Sequence, residues 1–545
     1  MQFTRKKVVA LLVALVIVAI TAYMLLPSLL QRPCVSIASY EFKVKLSGWR
    51  IMRVIEVYLE NSGTDNVTIS LVKVNGEEWS LWSPQDLMIK PGDRGCIEIQ
   101  YPWNNDELEV SIETSGGEVK FKDKAPAFNG VKIVLLNAYN QTISELVHLE
   151  MYFKDGECKR GFIRILDDEG LEVESQMWGV VEYESGYVRT AIVSFPISLR
   201  PGEHVEYRLE VGEKSVYAGT ESPYISIKQT GNYTLIENGV LTVRFKEYEV
   251  ISGRLFKYGG VIDYFGNQKI NFAKLYEPPN STRSGLNFFH GMLDSFFEFG
   301  YDKRYALLVK TDTWIDSRGP LLAVYARKWS LGGDRGYVYE FFGIPVDSKY
   351  ILYRCVVEVN REFSVGPNPG PGAGGYEFYN PAGMGEMGVP HLAVVGATYY
   401  LIESEDIYYP PWPGVDIWIK HSIALCVDFN LGVGISLVVN DEAAPLGYWH
   451  ISTTKWPWED EYSSDMIFLA GIHENMLCYD GQNISKEPYA SEREVKPRGS
   501  ATYRRGVYSY LFAVRAIIGE DALTILKYMN NLYEGRILKL NVEKL

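Results

Sequence analysis

The dipeptide Asn238-Gly239 separates two runs of alternating character, Tyr233-Thr-Leu-Ile-Glu237 and Val240-Leu-Thr-Val-Arg-Phe245. Asn-Gly between such runs is a strong short-range hairpin signal, because Asn and Gly tolerate the positive φ of tight turns. Beyond it Leu241, Val243 and Phe245 share one parity and Thr242, Arg244 and Lys246 the other, the period of a half-buried strand. The pattern persists through Gly319-Pro-Leu-Leu-Ala-Val-Tyr-Ala-Arg327, Tyr339-Glu-Phe-Phe342 and Tyr350-Ile-Leu-Tyr-Arg-Cys-Val-Val-Glu-Val359. A chain patterned this way is committed to sheet, and the expected fold class is mostly β.

This order of motifs resembles the galactose-mutarotase-like β-supersandwich over roughly residues 226–518. That superfamily includes sugar mutarotases, domains of many glycosidases and polysaccharide lyases. Upstream, the segment from Gly161 to Val211 contains Phe162-Ile-Arg-Ile-Leu166, a turn at Asp168-Glu-Gly170, a strand from Val188 to Phe195 and a turn at Arg200-Pro-Gly-Glu203. It looks like the barrel-like domain that precedes the supersandwich in exo-rhamnogalacturonan-lyase-like proteins. Earlier still, Asn61-Ser-Gly63, Asn75-Gly76 and Lys90-Pro-Gly-Asp93 punctuate short strands, including Val67–Val74 and Cys96–Tyr101. Such spacing fits an immunoglobulin-like sandwich. The expected domains are therefore residues 1–30 as a cytoplasmic tip and anchor, 31–125 as the sandwich, 126–222 as the barrel-like unit, and 223–545 as the supersandwich. Ala522–Leu532 closes the last of these with one short amphipathic helix.

The anchor reading rests on Arg5-Lys6-Lys7 followed by the uncharged run from Val8 to Leu26. Nineteen residues rise about 28 Å as a helix, close to the hydrocarbon thickness of a bilayer. The bulky Tyr23–Leu30 offers no small-residue cleavage site, which favours an uncleaved anchor over a cleaved signal peptide, with a pilin-like leader cut near Lys7 as a further alternative. The basic triplet places the N-terminus in the cytoplasm and the bulk of the chain outside the cell. A net charge of −14 without a basic run argues against nucleic acid as a partner. Asn66, Asn140, Asn232, Asn280 and Asn483 open glycosylation triplets. Six cysteines permit pairing in an oxidising compartment and match no zinc spacing, so no metal is expected. A Cys34–Cys96 bridge would close a loop of about 60 residues, worth about 4 kcal/mol in the chain-entropy model. Cys355 falls on the apolar parity of its strand and is expected to be buried.

Strand parity sorts the candidate site residues. Read as one strand, Asp416–Asp428 puts His421 with Ile417 and Ile423 on a core face, and Trp418 and Lys420 on the wetter one. In Tyr350–Glu362 the polar parity holds Arg354, Glu358 and Asn360, and Tyr305–Trp314 offers Lys310, Asp312 and Trp314 in the same way. Aromatic segments at Tyr408–Pro413 and Tyr448–Tyr462 supply Trp412, Trp456 and Trp458 as sugar platforms. The glycine-rich stretch Gly366–Gly388 reads as a long irregular loop.

The superfamily resemblance implies a base and an acid. His391, Tyr376 and Tyr379, in or beside that loop, are the proton-transfer candidates. A lyase also needs a cation beside the uronate carboxylate, for which Arg354 and Lys420 are candidates. Glu459 and Glu461 flank an aromatic cluster and could form a glycosidase pair or a calcium site. The mutarotase His-x-Tyr-Phe-Asn type of motif is absent. The preferred function is a membrane-anchored carbohydrate-binding or carbohydrate-active protein, in its enzymatic form a polysaccharide lyase acting on acidic glycans. The rival is a non-catalytic envelope or surface-layer protein that uses its β domains for packing or adhesion to envelope neighbours, and an extracellular solute receptor is a third reading.

Overall fold

A computed structural model describes residues 34–545 apart from 85, 252–253, 269–285, 288–296, 301–302, 307, 332, 366–372, 379–390, 395–406, 409–414, 419–422, 429–432, 440–447, 454–465, 474–500 and 534. The chain is mostly β, with several sheets. The expected anchor at residues 8–26 lies outside the described residues. Among those described, no helix is long and apolar enough to cross a membrane. The chain divides into two compact units, Met1–Val44 with Met52–Phe128, and Lys45–Ile51 with Asn129–Leu545. The stretches expected as barrel-like domain and supersandwich thus share one unit.

In the first unit Arg94–Gln100 pairs antiparallel with residues 54–60, while Val67–Val74, Glu107–Thr114 and Gly117–Lys124 line up in a second sheet. Ile55, Val57, Leu59, Ile97 and Ile99 share one face at 0% exposure, as their alternation dictates. The expected Cys34–Cys96 bridge is not formed in this structure: neither cysteine is in a disulfide. Cys96 lies opposite Tyr58, whereas the Cys34 carbonyl accepts from Ser62 N, four residues further along the same strand. Four residues of strand span about 13 Å, well beyond the ~6 Å separation of Cα atoms that a disulfide tolerates.

In the second unit Ile143–Tyr152 pairs with Val188–Leu199, which in turn pairs with Gln176–Glu182. A five-stranded sheet runs Glu172–Val173, Ile163–Leu166, His204–Val211, Gly130–Asn137, Leu538–Lys544. The helix Ala522–Tyr533 forms where expected, but the sequence reading missed the strand after it, which returns the C-terminus to the start of the unit. Among the described residues two nine-stranded sheets follow. The first carries Tyr233–Glu237, Thr242–Ile251 and Arg254–Gly266, and the second Leu308–Arg318, Leu322–Leu331, Gly336–Pro345, Tyr350–Val359 and Gly506–Ile518.

The hairpin expected at Asn238-Gly239 forms, and two other stretches fold differently from expectation. The hairpin at Asn238-Gly239 has a four-residue loop, since Glu237 pairs with Thr242. Asn238 is fully buried: its Oδ1 accepts from Val240 N and Leu241 N, and its Nδ2 donates to Pro345 O and Ser348 O. The Asn238 side chain is therefore the organising contact of the turn. The stretch Gly366–Gly388 is not wholly irregular, for Ala373–Phe378 is a strand paired with Met466–His473. Asp416–Asp428 is not one strand: Val415–Trp418 belongs to the first nine-stranded sheet and Ile423–Asp428 to the second.

Two turns, one in each unit, are built alike. Asn61 N donates to Asp93 O at 3.1 Å and Asn61 O accepts from Gly92 N at 2.7 Å. Asn137 N donates to Glu203 O at 3.0 Å and Asn137 O accepts from Gly202 N at 2.9 Å. The bound loops are Lys90-Pro-Gly-Asp93 and Arg200-Pro-Gly-Glu203. Each Asn is at 0% exposure and donates from Nδ2 to a carbonyl four residues on and to the residue preceding its Lys/Arg-Pro-Gly loop, Ile89 or Leu199. Its Oδ1 accepts from the amide two residues on. Both units thus end a strand with the same asparagine lock.

Candidate functional site

In the second nine-stranded sheet the strand Leu322–Leu331 and its neighbours are covered on both faces. Ala326, Phe341, Leu352, Val356 and Leu511 pack against Trp178, Val181 and Ile192 of the neighbouring sheet. On the opposite face the Tyr325 ring stacks on Phe245 at 3.9 Å, and Arg327 donates to Gly260 O. Gly260 takes φ +82°, and a Cβ there would overlap the Tyr325 hydroxyl, so the close approach depends on a bare backbone.

Arg354, expected to anchor an acidic sugar on a wet face, is 0% exposed. Its Nη2 donates to Glu150 Oε1 and Thr190 Oγ1, both at 2.6 Å, its Nη1 to Gly179 O, and its Nε to Ser509 Oγ at 3.3 Å. Arg50 Nε donates to the other oxygen of Glu150 at 2.7 Å. Burial alone would raise Glu150, yet Arg50 and Arg354 hold it down at about 2. The row expected to be polar is largely apolar: Arg354 lies between Phe341 and Leu511 in the ladder and shares its parity with Leu352 and Val356, on a face that a second sheet covers, so it serves packing rather than binding. His148, on the same strand as Glu150, is buried against Ser194 Oγ at 2.7 Å, and burial pushes its ring down to about 3.

A second buried cluster occupies the other face. Glu340 accepts from Arg327 through both Nε and Nη2, from Tyr353 OH at 2.6 Å and from Trp329 Nε1 at 3.0 Å. Burial pushes its carboxyl up to about 7 against the pull of these donors. Alongside, Glu247 accepts from Tyr325 OH and from Thr313 Oγ1. Glu340 and Arg327 are 0% and 1% exposed, so this cluster is an ion-paired core.

The face that carries Arg354 opens to solvent at its far end. The ladder sets Asp312 opposite Lys328 and Lys328 opposite Tyr339, with Ser330, Tyr337 and Glu358 forming the next row outward. Lys328 Nζ lies 3.7 Å from the Tyr337 ring centroid and 4.9 Å from that of Tyr339. Tyr339 OH donates to Glu358 Oε2 at 3.2 Å, and Arg189 Nη1 to Glu358 Oε1 at 2.5 Å. Burial and the Glu358 carboxylate raise the Tyr339 phenol, which keeps it protonated. Arg189 also lies over the Tyr183 ring at 5.3 Å. Asp312 is exposed, and Lys328, Tyr337, Tyr339, Glu358, Arg189 and Tyr183 are half-buried. Aromatic rings edged by fixed donors and acceptors can take the apolar faces and hydroxyls of a sugar.

Asp312 and Glu358 were singled out in the sequence, but Lys328, Tyr337, Tyr339 and Arg189 were not. The available signal was Tyr-x-Tyr-x-Phe at 337–341, one parity of an aromatic strand whose outer end emerges from cover. Of the proton-transfer candidates, the backbone sets Tyr376 in the first nine-stranded sheet and His391 in the second, and Tyr379 lies outside the described residues. Trp418 ends a strand of the first sheet. Lys420, Trp412, Trp456, Trp458, Glu459, Glu461, His421, Asn280 and Asn483 lie outside the described residues. Cys355 is buried, as its parity implied.

No family model and no curated protein matches this chain. Among solved structures it is similar to a protein in the glycosyl hydrolase family 38 from Enterococcus faecalis, at 10% identity and TM-score 0.34, over 76% of this chain and 47% of that one. It is also similar to an alpha-mannosidase from Enterococcus faecalis V583, at 10% identity and TM-score 0.35, over 76% of this chain and 46% of that one. The chain spans about half the length of the two structures it matches.

Proposed function

We propose that this protein binds glycans outside the cell, held at the membrane by residues 8–26, with an immunoglobulin-like module before a galactose-mutarotase-like supersandwich. The observation that carries this reading is the half-buried pair Tyr337 and Tyr339, at the outer end of the covered face, with Lys328, Glu358 and Arg189 fixed around them. Its enzymatic form, a polysaccharide lyase acting on acidic glycans, depends on His391, Tyr376 and Tyr379 for proton transfer. Lys420 would be its cationic anchor, and Trp418, Trp412, Trp456 and Trp458 its platforms. Arg354 has no part in it.

The second reading is a non-catalytic envelope or surface-layer protein. It is favoured by the closed pairing of Arg354 with Glu150 and of Arg327 with Glu340, which leaves these four side chains at most 2% exposed.

The test applies the detergent-solubilised full chain to neutral and acidic polysaccharides, with retention and release of unsaturated uronate products both measured. Retention that falls at least tenfold in Tyr337→Ala supports glycan binding at this row, and uronate release supports lyase chemistry. Neither retention nor release with any polysaccharide would leave the envelope reading in its place.

A further inference from the structure

Two of the glycosylation triplets follow the asparagine locks. Asn66-Val-Thr68 comes five residues after Asn61, and Asn140-Gln-Thr142 three residues after Asn137. In both, the acceptor asparagine and the threonine are exposed. The residue after each threonine, Ile69 or Ile143, is buried at 7% and 0%, which pins the end of the triplet to the sheet while its polar atoms face water. Among the described residues Asn66 Nδ2 donates only to the thioether of Met88, at 3.2 Å, a weak acceptor on a side chain that is itself 55% exposed. Among the described residues Asn140 makes no side-chain hydrogen bond. The turns themselves are held by Asn61 and Asn137, so a modification at the neighbouring asparagine disturbs nothing beyond the exposed Asn66–Met88 contact.

Asn232 differs. It too is exposed, but its partner Thr234 is 3% exposed and faces inward from the strand Tyr233–Glu237. A folded chain therefore hides the hydroxyl of that triplet.

We propose that Asn66 and Asn140 carry N-linked glycans and that Asn232 does not, with transfer taking place on the folded chain; this rests on the extracytoplasmic reading above. The co-reactant is an oligosaccharide linked through pyrophosphate to a polyisoprenyl lipid. The asparagine Nδ2 forms a bond to C1 of the first sugar. The C1–O bond to pyrophosphate breaks and the lipid pyrophosphate departs with its electron pair. The Nδ2 proton goes to a base of the transferase, and nothing is oxidised or reduced. One glycan on the equivalent turn of each unit follows from the repeated lock.

The experiment uses the full chain from its native membrane. Protease added to intact cells first establishes whether the bulk of the chain is outside; glycopeptide masses are then read at each triplet. The expected result is digestion, sugar mass on the peptides containing Asn66 and Asn140, bare peptide at Asn232, and loss of one glycan each in Thr68→Ala and Thr142→Ala. Digestion with bare peptides at Asn66 or Asn140, or equal occupancy at Asn232, would overturn the assignment. Protection of the chain from protease would instead overturn the extracytoplasmic reading, and the glycosylation proposal with it.

Discussion

Arg354 Nη2 lies 2.6 Å from Glu150 Oε1, joining a strand of the second nine-stranded sheet to a strand of the sheet packed on it. The contact also requires Gly179, at φ +62°, where a Cβ would come within 3.1 Å of Arg354 Cδ. Arg354→Ala leaves Glu150 buried with one of its two cations gone, and breaking such a pair costs about 3–5 kcal/mol. The denaturant midpoint should fall accordingly, whereas glycan retention per folded molecule should not change. A retention defect at unchanged stability would return Arg354 to the binding site.

The same layer sets an acid limit. His148 is held near 3 against 6.5 when unfolded, and Glu150 near 2 against 4.5, so in both cases the unfolded chain binds more protons as pH falls. Stability contributed by His148 is complete above about pH 6.5 and is lost below it at roughly 1 kcal/mol per pH unit. Glu150 adds a further loss below about pH 4.5. In His148→Gln the slope of unfolding free energy between pH 6.5 and 5 should flatten, and an unchanged slope would show that another group sets it.

Asn137 makes three side-chain hydrogen bonds from a fully buried position. Asn137→Ala strands two carbonyls and one amide, for a loss of about 3 kcal/mol. Asn137→Asp should recover only the part due to Tyr139 N, since a carboxylate cannot donate to Gln141 O and Leu199 O. Thermal unfolding of the two variants orders them directly.

Alkylation without reductant should label Cys34 and Cys96 in the folded chain, because neither is bridged and neither is buried. Cys158 and Cys355, at 1% and 0% exposure, should react only after unfolding. Resistance of Cys34 until a reductant is added would restore the bridge.

Alternation in the sequence identified the strands around Val243, Val324 and Val357 because local period reports sheet directly. It could not report what lies over a face. Arg354 and Glu358 share one parity, yet Trp178 and Ile192, far away in sequence, cover the first and stop short of the second. The same limit joined Trp418 to Ile423 as one strand although they belong to different sheets. Tyr337 and Tyr339 were not among the candidate site residues because their exposure depends on that same covering sheet.

The strand Leu538–Lys544 lies against Gly130–Asn137 in seven antiparallel pairs, with Val131 opposite Lys544 and Asn137 opposite Leu538. The beginning and end of the unit are therefore neighbours, and Leu545 N reaches Gly130 O at 3.3 Å. A pull applied between residue 129 and the C-terminus enters this pair at its open end. It loads one rung at a time, like a zip, instead of shearing all seven together. Single-molecule stretching between those points should show a first rupture at low force that releases the last strand while the sheets behind it stay folded. Anything that grips the C-terminus from outside has a tear strip in its hand.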